Sequence, residues 1–123
     1  MIQIELQNKQ KAFRPGESID GMVNWEGFEK EVEKLEIRLI WFTSGKGTRD
    51  FEIAHSLVES AVGERGSMGF SFEAPSRPYS FSGSLISLIW AIEAIFFPDH
   101  EAENLELVIS NTAEEITLNR GVI

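Results

Sequence analysis

Residues 34–44 alternate along the chain. Leu35, Ile37, Leu39 and Trp41 fall on one side of an extended segment, and Glu36 and Arg38 fall on the other. A period of two marks a strand with one face in a core, because a helix would scatter the same residues around its circumference. The pattern returns in Ile2, Ile4 and Leu6, and again in Ile19, Val23 and Trp25 around Gly21. It continues in Phe51, Ile53, His55 and Leu57, in Met68, Phe70 and Phe72, and in Leu105, Leu107 and Ile109. Proline and glycine fall between these runs, and Arg14-Pro15-Gly16-Glu17 has the chemistry of a type II turn. A last short strand is expected near residues 115–118. The 123 residues fit one domain, 1–123. The expected fold is an all-β, immunoglobulin-like sandwich of seven or eight mostly antiparallel strands with Greek-key links.

Residues 84–97 are the most apolar stretch and lack a polar stripe at helical spacing. Their β-branched and aromatic content favours a strand buried on both faces over a helix. The stretch is too short to span a bilayer and contains Glu93. The N-terminus has neither the basic region nor the apolar core of a secretory signal. A cytoplasmic location is therefore expected, and the absence of cysteine fits a reducing compartment.

Composition narrows the function classes. Without cysteine there is no disulfide, thiolate metal site or cysteine nucleophile. Twenty acidic residues against eleven basic ones give a net charge of −9. Such a chain repels phosphate backbones and anionic lipid, so neither nucleic acid nor membrane insertion is expected.

Candidate chemistry is sparse. Gly45-Lys46-Gly47-Thr48 lacks the first glycine of a phosphate loop and reads as a hairpin turn. None of Ser80, Ser82, Ser84 and Ser87 lies in a Gly-x-Ser-x-Gly elbow. His55 lies in register with apolar neighbours, as a hydrogen-bonded core histidine would. Asp99, His100, Glu101 and Glu103 carry oxygen and imidazole donors suited to a hard or borderline cation. Their spacing follows no calcium-loop pattern, and they are expected in a loop between strands. Trp25, Trp41 and Trp90 lie on the apolar sides of their strands, where core packing outweighs a ligand platform. No catalytic, metal or cofactor site is assigned.

Three motifs in order resemble the arrestin-like sandwich family. They are Pro15-Gly16-Glu17 followed by Ile19 and Gly21-Met22-Val23, then Phe70-Ser71-Phe72-Glu73-Ala74-Pro75, then Pro78-Tyr79-Ser80-Phe81-Ser82-Gly83 leading into Ile89-Trp90-Ala91-Ile92-Glu93-Ala94. The resemblance runs from Met1 to about Leu118. It implies a non-enzymatic adaptor or scaffold for proteins, in the clan of the retromer cargo subunit and bacterial sporulation-control proteins. Adaptors of that family usually pair two such sandwiches, and this chain holds one. Lys9 and Lys11 do not align with the basic phosphate-sensing residues of visual-type arrestins, so that activity is not implied.

The residues themselves point to one surface. On the sixth strand Ile86, Leu88, Trp90, Ile92, Ala94 and Phe96 are expected to face the core. Leu85, Ile89, Ala91, Ile95 and Phe97 then face outward, interrupted by Ser87 and Glu93. On the third strand Ile40 and Phe42 likewise oppose Leu39 and Trp41. An outer sheet face normally meets water, so apolar residues there mark an interface. The expectation is a module that docks a protein partner or forms a twofold homodimer through Ile40, Phe42, Leu85, Ile89, Ala91, Ile95 and Phe97. The alternative is a small-molecule or carbohydrate-binding sandwich using a tryptophan or Tyr79 at a loop end.

Overall fold

The structure is a computed structural model that describes residues 1–45, 50–60, 62–83, 86–112 and, for the backbone, 116–117. Among the described residues ten strands follow one another: β1 (Ile2–Leu6), β2 (Ala12–Phe13), β3 (Ser18–Trp25), β4 (Lys34–Gly45), β5 (Phe51–Ser60), β6 (Gly66–Glu73), β7 (Phe81–Ser82), β8 (Ile86–Phe97), β9 (Glu101–Ile109) and β10 (Ile116–Thr117). A 3₁₀ turn at Gln7–Lys9 links β1 to β2.

The strands form two sheets. The smaller has the order β1-β3-β6 and is antiparallel throughout. The larger runs β10-β7-β8-β4-β5, with β9 on β8 and β2 on β9. Most pairings are antiparallel, and the short β2–β9 and β7–β10 pairings are parallel. Alternation places the core between the sheets. Ile4, Leu6, Ile19, Val23, Phe70 and Phe72 enter from the small sheet, and Leu35, Ile37, Leu39, Trp90, Ile92 and Phe96 enter from the large one. The immunoglobulin-like sandwich expected from the periodicity is the fold observed.

The turn at residues 14–17 forms as its chemistry requires. Gly16 has φ 85°, and Glu17 N–H donates to Arg14 C=O at 3.1 Å. Gly21 has a packing role. A Cβ there would lie 2.5 Å from the Glu5 carbonyl oxygen and 2.5 Å from Phe70 Cζ. Phe70 pairs with Gly21 across β3 and β6, so its ring occupies the space a side chain would fill.

Several expectations need correction. Phe51, Ile53, His55 and Leu57 do not share a face. The β4–β5 register slips at Leu39/Ile40, where Leu39 pairs with His55 and Ile40 with Ile53, leaving Ala54 extra. This bulge turns His55 and Leu57 inward and Phe51 and Ile53 outward. The seventh expected strand starts at Glu101, three residues early, so Pro98-Asp99-His100 is a tight turn. The crossing after Pro75 contains β7, and Ile86 is exposed at the strand end, not in the core. The loop after Trp25 is not simply solvated. Val32 is buried and Phe28 packs on Phe96 with ring centres 5.0 Å apart.

The serine-rich crossing is tied down by polar groups. Ser80 is buried; its N–H donates to Ile109 C=O at 2.7 Å, and its hydroxyl accepts from Ile109 N–H at 3.0 Å. Trp90 Nε1–H donates to Pro78 C=O at 2.8 Å. These bonds satisfy buried groups that would otherwise cost about 1–3 kcal/mol each. Lys46, Gly47, Thr48, Arg49, Ser84 and Leu85 lie outside the described residues.

Candidate interaction surface

The outer face of the large sheet is built in rows across β8, β4 and β5. Ile89 pairs with Phe42, which pairs with Phe51. Next, Ala91 pairs with Ile40, which pairs with Ile53. The third row is polar: Glu93, Arg38 and Ser56, with Asn104 of β9 beside Glu93. Beyond it come Ile95, Glu36 and Val58, then Phe97, Lys34 and Ser60.

The sequence-derived surface residues therefore divide into two groups. Ile40, Phe42, Ile89 and Ala91 are direct neighbours at one end of the sheet. Ile95 and Phe97 stand at the other end, across the polar row. Leu85 falls outside the described residues. Exposure is uneven among them. Ile40, Ala91 and Ile95 are buried, whereas Phe42, Ile89 and Phe97 are half-buried.

The burial of Ile40 has a local cause. Arg38 and Phe42 are four residues apart on β4, about 13 Å along the strand. Phe51 sits beside Phe42, yet the Arg38 guanidinium carbon is 6.0 Å from the Phe51 ring centre. The two side chains lean toward each other across the Ile40–Ile53 row and roof Ile40, which is 2% exposed. Phe97 is covered differently. Lys34 Nζ lies 4.0 Å over its ring, and the His100 ring meets it nearly edge-on at 4.6 Å.

The bulge adds two residues that periodicity alone assigns to the core, Phe51, 56% exposed, and Ile53, 41% exposed, and Val58, 49% exposed, lies on the same outer face of β5.

The polar row holds the face together electrostatically. Arg38 Nη2 contacts Glu93 Oε1 at 2.6 Å, and Arg38 Nε lies 3.8 Å from Glu36 Oε2. The Asn104 amide, oriented to donate, reaches the other Glu93 oxygen at 3.2 Å. The Arg38 and Glu93 side chains are both mostly buried, so this is a strong, desolvated contact.

The other candidates are dispersed. His55 stacks on Phe72 with ring centres 5.9 Å apart, but it is exposed at the sheet edge and is not the core histidine expected from its apolar register. Among the described residues no three His, Asp or Glu side chains gather into a set that could hold a metal. Asp99 and His100 sit in the turn, and Glu101 and Glu103 lie on β9. Trp25 and Trp90 are buried, and Trp41 is half-buried in the core cluster. Away from the large sheet, a cleft of about 710 Å³ opens beside β1, lined by Ile4, Leu6, Lys9, Met22 and Leu105 among others. Among the described residues no helix is long and apolar enough to cross a membrane.

Comparison with known proteins adds the fold. No family model matches the sequence, and no curated protein matches it. Among solved structures, Spo0M, the sporulation control protein of Bacillus subtilis, is similar over 89% of this chain with a TM-score of 0.64 and 16% identity. This chain has the arrestin-like fold. It spans 48% of the Spo0M chain, about half its length. A superoxide reductase (neelaredoxin) from Ignicoccus hospitalis matches over 89% of this chain and 80% of its own, with a TM-score of 0.50 and 9% identity. At these identities the likeness is one of fold, and function has to be argued from the site.

Proposed function

We propose that this arrestin-like domain is a non-enzymatic, cytoplasmic interaction module that docks proteins through the outer face of its large sheet. One observation carries the reading. Phe51 and Ile53 are exposed in the same rows as half-buried Phe42 and Ile89, on a face that would otherwise meet water. The adaptor function implied by the family resemblance points the same way.

The test is comparative capture from native lysate. The intact domain should retain a partner that the Phe42→Asp and Ile89→Asp variants lose and that Glu73→Gln, on the small sheet, keeps. Identical captured sets for all four proteins would contradict the reading.

A small-molecule site has one observation in its favour, the apolar-lined cleft beside β1, whose volume is in the range of ligand pockets. No tryptophan lines it. With Trp25 and Trp90 buried and Trp41 half-buried, acrylamide should quench tryptophan fluorescence weakly, and a sugar or aromatic ligand in the cleft should leave that quenching unchanged.

A further inference from the structure

We infer that β5 is the seam of a twofold dimer in which the large sheet continues from one copy of the chain into a second. The inference rests on the docking reading above and names its occupant.

β5 ends the large sheet, and no described strand pairs with its other edge. The direction of its backbone groups follows from β4. Thr43 N–H donates to Asp50 C=O at 3.0 Å, so Thr43 turns its main chain toward β5. By alternation Trp41, Leu39, Ile37 and Leu35 do the same, and they pair with Glu52, His55, Leu57 and Glu59. The intervening residues Phe51, Ile53, Ser56, Val58 and Ser60 therefore point their N–H and C=O groups outward. Their side chains lie on the apolar outer face, and none is charged.

Exposed edges in soluble proteins are usually blunted by lysine, proline, shortness, a bulge or inward-pointing charge. β5 has ten residues and contains no lysine, arginine, proline or glycine. Its bulge lies at Ala54, so residues 55–60 offer an uninterrupted edge.

The sequence of that edge is complementary to itself in one antiparallel register. With Leu57 on the axis, Leu57 meets its own copy, Ser56 meets Val58 of the other chain, and His55 meets Glu59 of the other chain. The two Ser56–Val58 pairs exchange main-chain hydrogen bonds, and the two His55–Glu59 pairs set an imidazole N–H donor against a carboxylate acceptor. Centring on Val58 would set each Glu59 carboxylate against Leu57, and centring on Ser56 would run into the bulge. On the outer face Val58 of one chain lies diagonal to Ile53 of the other, which covers both exposed side chains. An interface of this length is small, so the expected affinity is micromolar rather than nanomolar.

Sedimentation equilibrium of the intact chain up to about 100 µM tests the seam. The wild type should be a reversible dimer. Ser56→Pro removes an outward N–H that β4 does not use, and Val58→Lys places a charge on the edge. Each should weaken association at least about tenfold with an unchanged circular dichroism spectrum. His55→Glu should also weaken it, and adding Glu59→His to that variant should restore it. A wild-type monomer at every concentration would overturn the seam, and the capture test would still decide the docking face. A dimer broken by Phe42→Asp and indifferent to Ser56→Pro and Val58→Lys would also overturn the seam, in favour of face-to-face association.

Discussion

At the scale of residues, two side-chain environments make sharp predictions. Gly21 has no space for a methyl group, because the Glu5 carbonyl and the Phe70 ring already occupy it. Gly21→Ala should destabilise the domain by about 3 kcal/mol and lower Tm by about 10 °C, measured by thermal unfolding. Asp20 is the second case. Its Oδ1 accepts hydrogen bonds from the hydroxyls of Ser18 at 2.7 Å and Ser71 at 2.5 Å. The Ser18 bond, then the Ser71 bond, hold this carboxyl below its ordinary pKa. A folded-state pKa below the unfolded one adds stability that is present above the unfolded value and is lost as pH falls through the folded one. Asp20→Asn should therefore flatten the acid limb of the stability curve below about pH 4 and leave its slope near neutrality unchanged. The residue scale was the most legible in sequence. Gly21 was readable as a close approach and Trp90 as core, because each is defined by its immediate neighbours along one strand.

At the scale of elements, β4 and β8 were readable and β5 was only half so. Regular alternation identifies Leu35 to Trp41 without knowledge of the partner strand. A bulge is a relation between two strands, so nothing local to β5 fixes where Ala54 is passed over. The outer face inherits that gap. Phe42 and Ile89 were expected on it, whereas Phe51 and Ile53 join them only once the register is known. The ion pair at the centre of the face was also invisible, because Arg38 and Glu93 are 55 residues apart. Both side chains are mostly buried, and losing one partner strands the other. Arg38→Met should cost about 2 kcal/mol in denaturant unfolding, and Arg38→Met with Glu93→Leu should recover most of that loss.

For the whole molecule, the two-sheet architecture was legible because periodicity and turn chemistry agree along most of the chain. The pairing of β2 with β9 and the 3₁₀ turn before it were not, since two-residue strands carry no periodicity. Charge acts at this scale too. Each copy carries −9, so two copies repel at long range. Raising salt from about 0.01 M to 0.3 M should strengthen self-association, as followed by sedimentation, because screening weakens that repulsion while apolar contacts persist. The most direct measurement is amide hydrogen exchange of β5 at several protein concentrations. The outward amides of Ser56 and Val58 should become more protected as concentration rises, while those on the outer edge of β1, which no described strand covers, should not. Exchange at Ser56 and Val58 that is fast and independent of concentration would contradict the seam.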